Sequence, residues 1–457
     1  MGITQSQCAN LHACLPPLSI IEVAQIEHAF AMAQQSVDQA YCPRLGLCAS
    51  VNGHFHQSVW TRDLFLASVY ADQARLKQTI ETILNHQHPN GSLPHRVELT
   101  RFVLTYFVSW MGRLGRFVTQ RKTPKAIYEH SRGAVHARDT VPVLITMVAN
   151  LYRQMDDRTK AVDFLTAHYG RLQKALTREE RLHGDPDGLI SSQSPQDWLD
   201  NLKRPGPLAL INLLFLQAYR DMAFLAGEQR DGHYKTHCRG RARALRRSTR
   251  LFWNNGGYYQ ASGTDTRLDV PANVVACLYH HNASRAVQIQ ASIRHMVEAQ
   301  GGLLATVSRR YPTSDLRWYF KLIGFTRYGH VWLYPWISQL NMLAKIRVAR
   351  KVAGGQPTIA HKLLVEARRD FVALTKVHVQ NDGFYEVLDP ETLAPAHHTI
   401  LQLPKLKLAG ITVFQSGHGF LGSSATYCAV YEALRDLDLL ESNHSSTLTK
   451  EVVLAPV

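Results

Sequence analysis

The chain predicts an all-α fold, a closed double ring of helical hairpins. Three observations lead there. Apolar residues recur at helical steps in segment after segment of its 457 residues. Clusters of Gly, Pro and Asn separate those segments, and stretches rich in carboxylates and aromatics fall at their edges rather than their midpoints. The segment from Pro207 to Tyr219 is apolar on nearly every side, as a helix packed between two layers must be.

The first helix is expected over Leu18–Tyr41, where Ile21, Ala24, Ala29, Ala33 and Val37 recur at loose helical steps. Asp63–Asn85, Thr140–Met155, Ala161–Leu176, Pro207–Leu225, Val287–Ala299, Val331–Val352, Ile359–Val377 and Ala425–Leu437 read the same way. Weaker patterns near residues 98–112, 232–253 and 270–280 bring the number to about a dozen. Turn clusters fall between them at His88-Pro89-Asn90-Gly91, Gly184-Asp185-Pro186-Asp187-Gly188, Asn254-Asn255-Gly256-Gly257 and Asn381-Asp382-Gly383. No low-complexity linker, composition shift or short repeat divides the chain, which argues against an open solenoid. One domain over 1–457 is expected, with irregular tails at 1–17 and 438–457.

Composition narrows the function classes. A 45% hydrophobic fraction is that of a globular protein, and no apolar run reaches the roughly 18 residues of a transmembrane helix. The N-terminus lacks the charged start and apolar stretch of a secretory signal. Met1-Gly2-Ile3-Thr4-Gln5-Ser6 fits the N-myristoylation spacing, with Cys8 nearby, but so short a pattern recurs by chance. Seven scattered cysteines without a Cys-x-x-Cys pair fit reduced thiols in the cytoplasm. The 23 histidines show no metal-ligand spacing, so no metal and no cofactor is expected. The net charge of +15 includes a run at Arg239, Arg241, Arg243, Arg246, Arg247 and Arg250, read as the solvated face of a helix. Nucleic acid is not the expected partner, since stacking aromatics are not interleaved with these cations. Attraction to an anionic partner stays open.

Two acidic stretches carry the chemistry: Gln196-Asp197-Trp198-Leu199-Asp200-Asn201 and Gly383-Phe384-Tyr385-Glu386-Val387-Leu388-Asp389. Each sets a carboxylate beside a large ring, which raises a carboxyl pKa by desolvation and offers a face for a sugar. One protonated and one ionised carboxyl on opposite sides of a bond is what glycoside hydrolysis requires. Solvated loop acids beside buried aromatics would give the same pattern.

Five segments in order resemble the (α/α)6-barrel glycoside hydrolases that include processing α-glucosidase, neutral/alkaline invertase and amylo-α-1,6-glucosidase. Trp60-Thr61-Arg62-Asp63 resembles the Trp-x-Arg-Asp of the sugar pocket, and Gly91-Ser92-Leu93-Pro94-His95 the turn that follows. Ala137-Arg138-Asp139-Thr140-Val141-Pro142 resembles the opening of an inner helix. Asp187-Gly188-Leu189-Ile190, leading to Asp197-Trp198-Leu199-Asp200-Asn201, resembles the general-acid loop. Phe384-Tyr385-Glu386, with Asp389-Pro390-Glu391-Thr392, resembles the general-base loop. The resemblance implies a six-hairpin toroid, with Asp200 as general acid, Glu386 as general base and a carbohydrate as partner. Asp197 is the rival acid. Trp198 and Asp197 would raise the pKa of Asp200 by desolvation and like charge.

Other roles keep two readings. Arg62 and Asp63 grip sugar hydroxyls, or form a helix cap and its salt bridge. Asp139 binds a hydroxyl or caps the helix that begins at Thr140. Trp60, Trp332, Trp336 and Tyr385 form a stacking wall or belong to the core. Asn212, inside an apolar helix, satisfies a buried partner. The chain departs from the family pattern at Leu388, where a Tyr is usual, and at Leu393, where a Gly is usual. Arg327-Tyr328-Gly329-His330-Val331-Trp332 replaces a His-Asn-Gly stretch, and Ala394–Gly419 reads as an extra loop. A carbohydrate-binding protein without catalysis, a sugar epimerase and a phosphorolytic enzyme remain the alternative functions.

Overall fold

The structure, a computed structural model, describes residues 16–52, 55–101, 119–128, 137–192, 197–199, 201–280, 282–297, 302–322, 324–400 and 411–440. Among the described residues, twelve of thirteen α-helices alternate between two rings, the short Trp318–Leu322 being the exception. The outer ring is α1 (Ile20–Gln39), α3 (Gln73–Asn85), α5 (Arg158–His183), α7 (Gly232–Ser248), α9 (Ala283–Met296) and α11 (Pro357–Gln380). The inner ring is α2 (Thr61–Ala67), α4 (Thr140–Gln154), α6 (Ala209–Glu228), α8 (Val270–Tyr279), α10 (Pro335–Val352) and α12 (Leu421–Arg435). Each inner helix packs on the next, and α12 returns to α2, so the ring closes. The expected toroid is what the chain forms.

Burial follows from the layering. Inner helices touch neighbours on all sides: every residue of α2 is buried, as is every residue of α8 from Val270 to Cys277. Outer helices need one apolar stripe. In α5 it is Ala161, Phe164, Leu165, His168, Leu172, Ala175 and Leu176, at steps of three and four. In α7 it thins to Cys238, Ala242 and Leu245, which leaves most of the arginine run outside the core. Although α6 is long and apolar enough to cross a membrane, its apolar surface is consumed by the barrel. Asn212 sits on α6 and pairs through both amide atoms with the backbone of Ile190, at 2.8 and 3.0 Å.

Two expectations are corrected. Asp63–Asn85 is two helices, because the chain turns from the inner to the outer ring between Ser68 and Asp72, where the Asp72 carboxylate caps α3. Within the weak helical pattern near 98–112, residues up to Thr100 belong to a strand, and 102–118 lie outside the described residues. That strand, Arg96–Thr100 (β2), is central between β1 (Ser58–Trp60) and β3 (Gln120–Ile127), both antiparallel to it. A buried ion pair between Arg96 and Glu98, at 3.0 Å, joins two residues on the same face of the strand. Ala394–Gly419 contains the antiparallel pair β4 (His397–Ile400) and β5 (Ile411–Gln415); residues 401–410 lie outside the described residues. Tails 1–15 and 441–457 lie outside them as well.

Candidate active site

Because outer and inner helices alternate, all six inner helices run the same way and begin at one end of the barrel. Arg62 and Asp63 open α2, Asp139 precedes α4, Asp269 precedes α8 and Trp336 opens α10. The Glu386 loop is tied to the start of α12 by Phe420 N–H to the Phe384 carbonyl (3.0 Å) and Ser423 Oγ to the Tyr385 carbonyl (2.7 Å). Five of the six inner helices have no side-chain N-cap, α8 with Asp269 being the capped one. Their positive ends therefore converge on this mouth, an environment that favours carboxylates.

One wall is built on Arg62. Its Nε lies 2.7 Å from Asp139 Oδ2, and its Nη2 donates to Oδ1 at 3.3 Å, a buried ion pair. Asp139 thus does not cap α4 with its side chain, and Arg62 pairs across the mouth rather than with its neighbour Asp63. Burial pushes the Asp139 carboxyl up, Arg62 pulls it down, and nearby Asp197 adds to the upward push. The same guanidinium lies 5.2 Å over the Trp198 ring, and Trp198 packs on Trp336 at 5.0 Å. Trp198 Nε1 is buried and finds no acceptor among the described residues.

The loop around Asp200 is anchored on both sides. Asp197 accepts from Leu199 N–H (3.0 Å) and pairs with Arg204 Nη1 (2.8 Å), while Arg204 Nη2 meets Asp269 at 2.8 Å. Burial pulls the Arg204 pKa down, but Asp197 and Asp269 with Tyr311 hold it above its ordinary value. Burial pushes Asp269 up against the pull of Arg204, so one guanidinium is shared by two carboxylates. Both oxygens of Asp197 are engaged in holding the loop. Asp200 itself lies outside the described residues. On its far side, Asn201 Nδ2 donates to the Tyr328 carbonyl at 2.6 Å.

Tyr328 joins that loop to Glu386. Its hydroxyl donates to Glu386 Oε1 at 3.0 Å, and Glu386 is 7% exposed. Leu388, where the resembled family has a tyrosine, is buried and exchanges two 2.9 Å backbone bonds with Leu333. The phenol at the Glu386 carboxylate belongs to Tyr328. The extra hairpin holds that phenol: Phe414 on β5 packs against Tyr328 (5.6 Å), Trp332 (5.2 Å) and Phe325 (5.1 Å). Arg327, next to Tyr328, is clamped by Asp389 (3.1 Å) and Glu391 (3.2 Å).

The remaining expected residues divide. Asp63 is buried in the first turn of α2 beside Arg62. Trp60 lies beneath the Arg96 guanidinium at 4.9 Å, with its Nε1 on Ser58 Oγ. Trp332 and Trp336 are each 2% exposed, which matches the core alternative for both. Tyr385 packs on His418 at 5.4 Å, and its hydroxyl reaches the Asn381 carbonyl at 3.4 Å. Sequence reading missed Tyr328, Asn201, Arg204 and Asp269 as site residues. A signal existed for Arg204, which with Lys203 follows Asp197 and Asp200 closely in the chain. Nothing local marks Tyr328, whose partner is 58 residues away.

No protein-family model and no curated protein matches the chain. Solved structures match its fold. GH63 mannosylglycerate hydrolase from Thermus thermophilus in complex with glucose is 16% identical, with a TM-score of 0.58 over 88% of this chain and 99% of that one. A rhamnosidase from Klebsiella oxytoca with rhamnose bound is 12% identical, with a TM-score of 0.57 over 91% of this chain and 64% of the other. A wild-type glycosidase is 11% identical, with a TM-score of 0.55 over 92% of this chain and 99% of the other. At such identities the likeness is one of fold: the chain is an all-α six-hairpin toroid, the (α/α)6 barrel of these glycoside hydrolases.

Proposed function

We propose that the protein is an inverting glycoside hydrolase of α-glucosidase type, acting on a small α-glucoside or on an oligosaccharide or glycogen end. The observation that carries this reading is the buried Glu386 carboxylate, held by Tyr328, whose backbone carbonyl in turn holds Asn201, next to Asp200. Asp200 protonates the glycosidic oxygen as the bond breaks. Glu386 takes a proton from a water that attacks the opposite ring face, and Tyr328 fixes the carboxylate for that task. A pair working this way stands about 6.5–9.5 Å apart, with room for one water. The Arg62–Asp139 pair, Asp63 and Trp198 line the sugar side of the mouth, and Asp197 keeps the acid loop in place. The solved neighbours that hold glucose and rhamnose lend support from fold alone. A cytoplasmic location belongs to the same reading, because the described cysteines are free thiols.

The test is a pair of variants. Asp200→Asn and Glu386→Gln should each fold and each lose at least about 100-fold in hydrolysis, the low end for acid–base groups. Loss of the acid should weigh most on poor leaving groups; loss of the base should weigh on all substrates alike. Azide should partly rescue Glu386→Gln on an activated glycoside, because an anion needs no general base. Near-normal turnover in both variants removes the carboxylate pair from the mechanism. The departures at Leu388 and Leu393 favour a second reading, a carbohydrate-binding protein without catalysis, which calorimetry would reveal as sugar binding without turnover.

A further inference from the structure

A groove of about 750 Å³ runs between α6 and α7, away from the mouth. Arg220, which lines it from α6, lies 11 residues beyond the start of that helix at Ala209, about 16 Å down the helix from the mouth. Lys235, Arg239, Arg243 and Arg246 complete the lining, at steps of three and four along one face of α7. These four form no ion pair among the described residues.

The charge of this groove is not cancelled from within. Its lining carboxylate, Glu228, is engaged by Arg158 and by the Tyr152 hydroxyl. Asp221, beside Arg220 in sequence, is buried and bound to Arg153 (2.8 Å) and Gln217 (2.9 Å). Arg220 is half-buried and held by neutral acceptors, His280 Nδ1 at 2.8 Å and the Tyr279 carbonyl at 3.5 Å. His280 Nε2 faces the Leu213 carbonyl at 2.9 Å and must donate to it, so Nδ1 is the lone pair that Arg220 meets. Burial, followed by the nearby Arg246, lowers the Arg220 pKa, against a smaller upward pull from Asp221. A guanidinium held by neutral hydrogen-bond acceptors beside four more cations is organised for an anion that the described residues do not supply.

The geometry points to a second binding site here, for a compact ligand carrying two or more phosphate groups. The volume lies within the roughly 300–1,000 Å³ of small-molecule pockets. Arginine forks match phosphate oxygens two at a time. Ala223 and Phe224 give the groove an apolar floor for the organic body of such a ligand. This site does not depend on the reaction at the mouth.

Titration calorimetry with inorganic tripolyphosphate at fixed ionic strength tests it. Saturable one-to-one binding is expected, weakened at least tenfold by Arg220→Gln and by the exposed double variant Arg239→Gln/Arg243→Gln. Circular dichroism and thermal melting verify folding, and if Arg220→Gln does not fold the double variant carries the test. Failure of tripolyphosphate to saturate, equal binding of sulfate, or unchanged affinity in the double variant overturns the site. So does variant-sensitive binding of a single-stranded oligonucleotide or of phosphatidylserine vesicles where tripolyphosphate does not bind, since that makes the groove a macromolecular surface.

Discussion

Removing the Tyr328 hydroxyl should lower turnover by about 10- to 100-fold, because a hydrogen bond to a charged group contributes roughly 1.5–3 kcal/mol. Tyr328→Phe keeps the ring against Phe414, so kcat should fall while the melting temperature holds; a variant with unchanged kcat would detach Tyr328 from the site. Arg204 should matter to stability. Arg204→Gln leaves Asp197 and Asp269 facing each other in a buried site, and breaking such an arrangement costs about 3–5 kcal/mol. Urea unfolding measures it, and a loss under about 1 kcal/mol would mean the triad does not hold the loop. At this scale the sequence was legible for residue type and not for partner. Arg62 stood out with Asp63 as a sugar ligand or as part of a helix cap and its salt bridge, and Asp139 as a hydroxyl ligand or a cap. Their pairing spans 77 residues, a distance no local pattern encodes. Asp197 stood out for its setting beside Trp198, yet its oxygens are committed to Arg204 and Leu199.

Helices were legible where one face had to be apolar, as in α5, or all faces, as in α6. They were misread where a turn between rings kept the apolar run unbroken, as between α2 and α3. The β4–β5 hairpin read only as an extra loop, since its role depends on Phe414 reaching Tyr328 and Trp332. Phe414 is buried, so Phe414→Ala should cost about 3–5 kcal/mol and lower turnover as well. Turnover that stays intact in the folded fraction would separate the hairpin from the site. Leu393 has φ +57°, the left-handed region, at the place where the resembled motif carries glycine. Leu393→Gly should therefore be tolerated within about 1 kcal/mol, whereas the β-branched Leu393→Val should cost about 1–2 kcal/mol. Thermal unfolding of the two variants in the reverse order would contradict this.

The whole barrel carries a pH dependence set by buried histidines. His378 stacks on Phe384 at 4.1 Å; its Nε2 accepts from Gln339, and its Nδ1 donates to the Gly383 carbonyl, both at 3.3 Å. Burial pulls its pKa from 6.5 to about 3, so it stays neutral when folded. The unfolded chain then binds a proton that the folded chain does not. The resulting stability is fully present above about pH 6.5 and is lost progressively as pH falls towards 3. Burial lowers His330 to about 4, which acts in the same direction; Asp269, pushed up to about 6, opposes both at lower pH. Melting temperatures between about pH 7.5 and 5 should fall less steeply in His378→Gln than in the parent; equal slopes would remove His378 from the balance. The closed ring was legible because helix number, punctuation and the all-round apolar α6 agreed. The proposed hydrolysis rests on the carboxylates at the mouth, and the first-formed sugar anomer would report on them most directly. Proton NMR during cleavage of an α-glucoside should show β-glucose first, as water activated by Glu386 attacks the face opposite the leaving group. Appearance of α-glucose first would contradict the account.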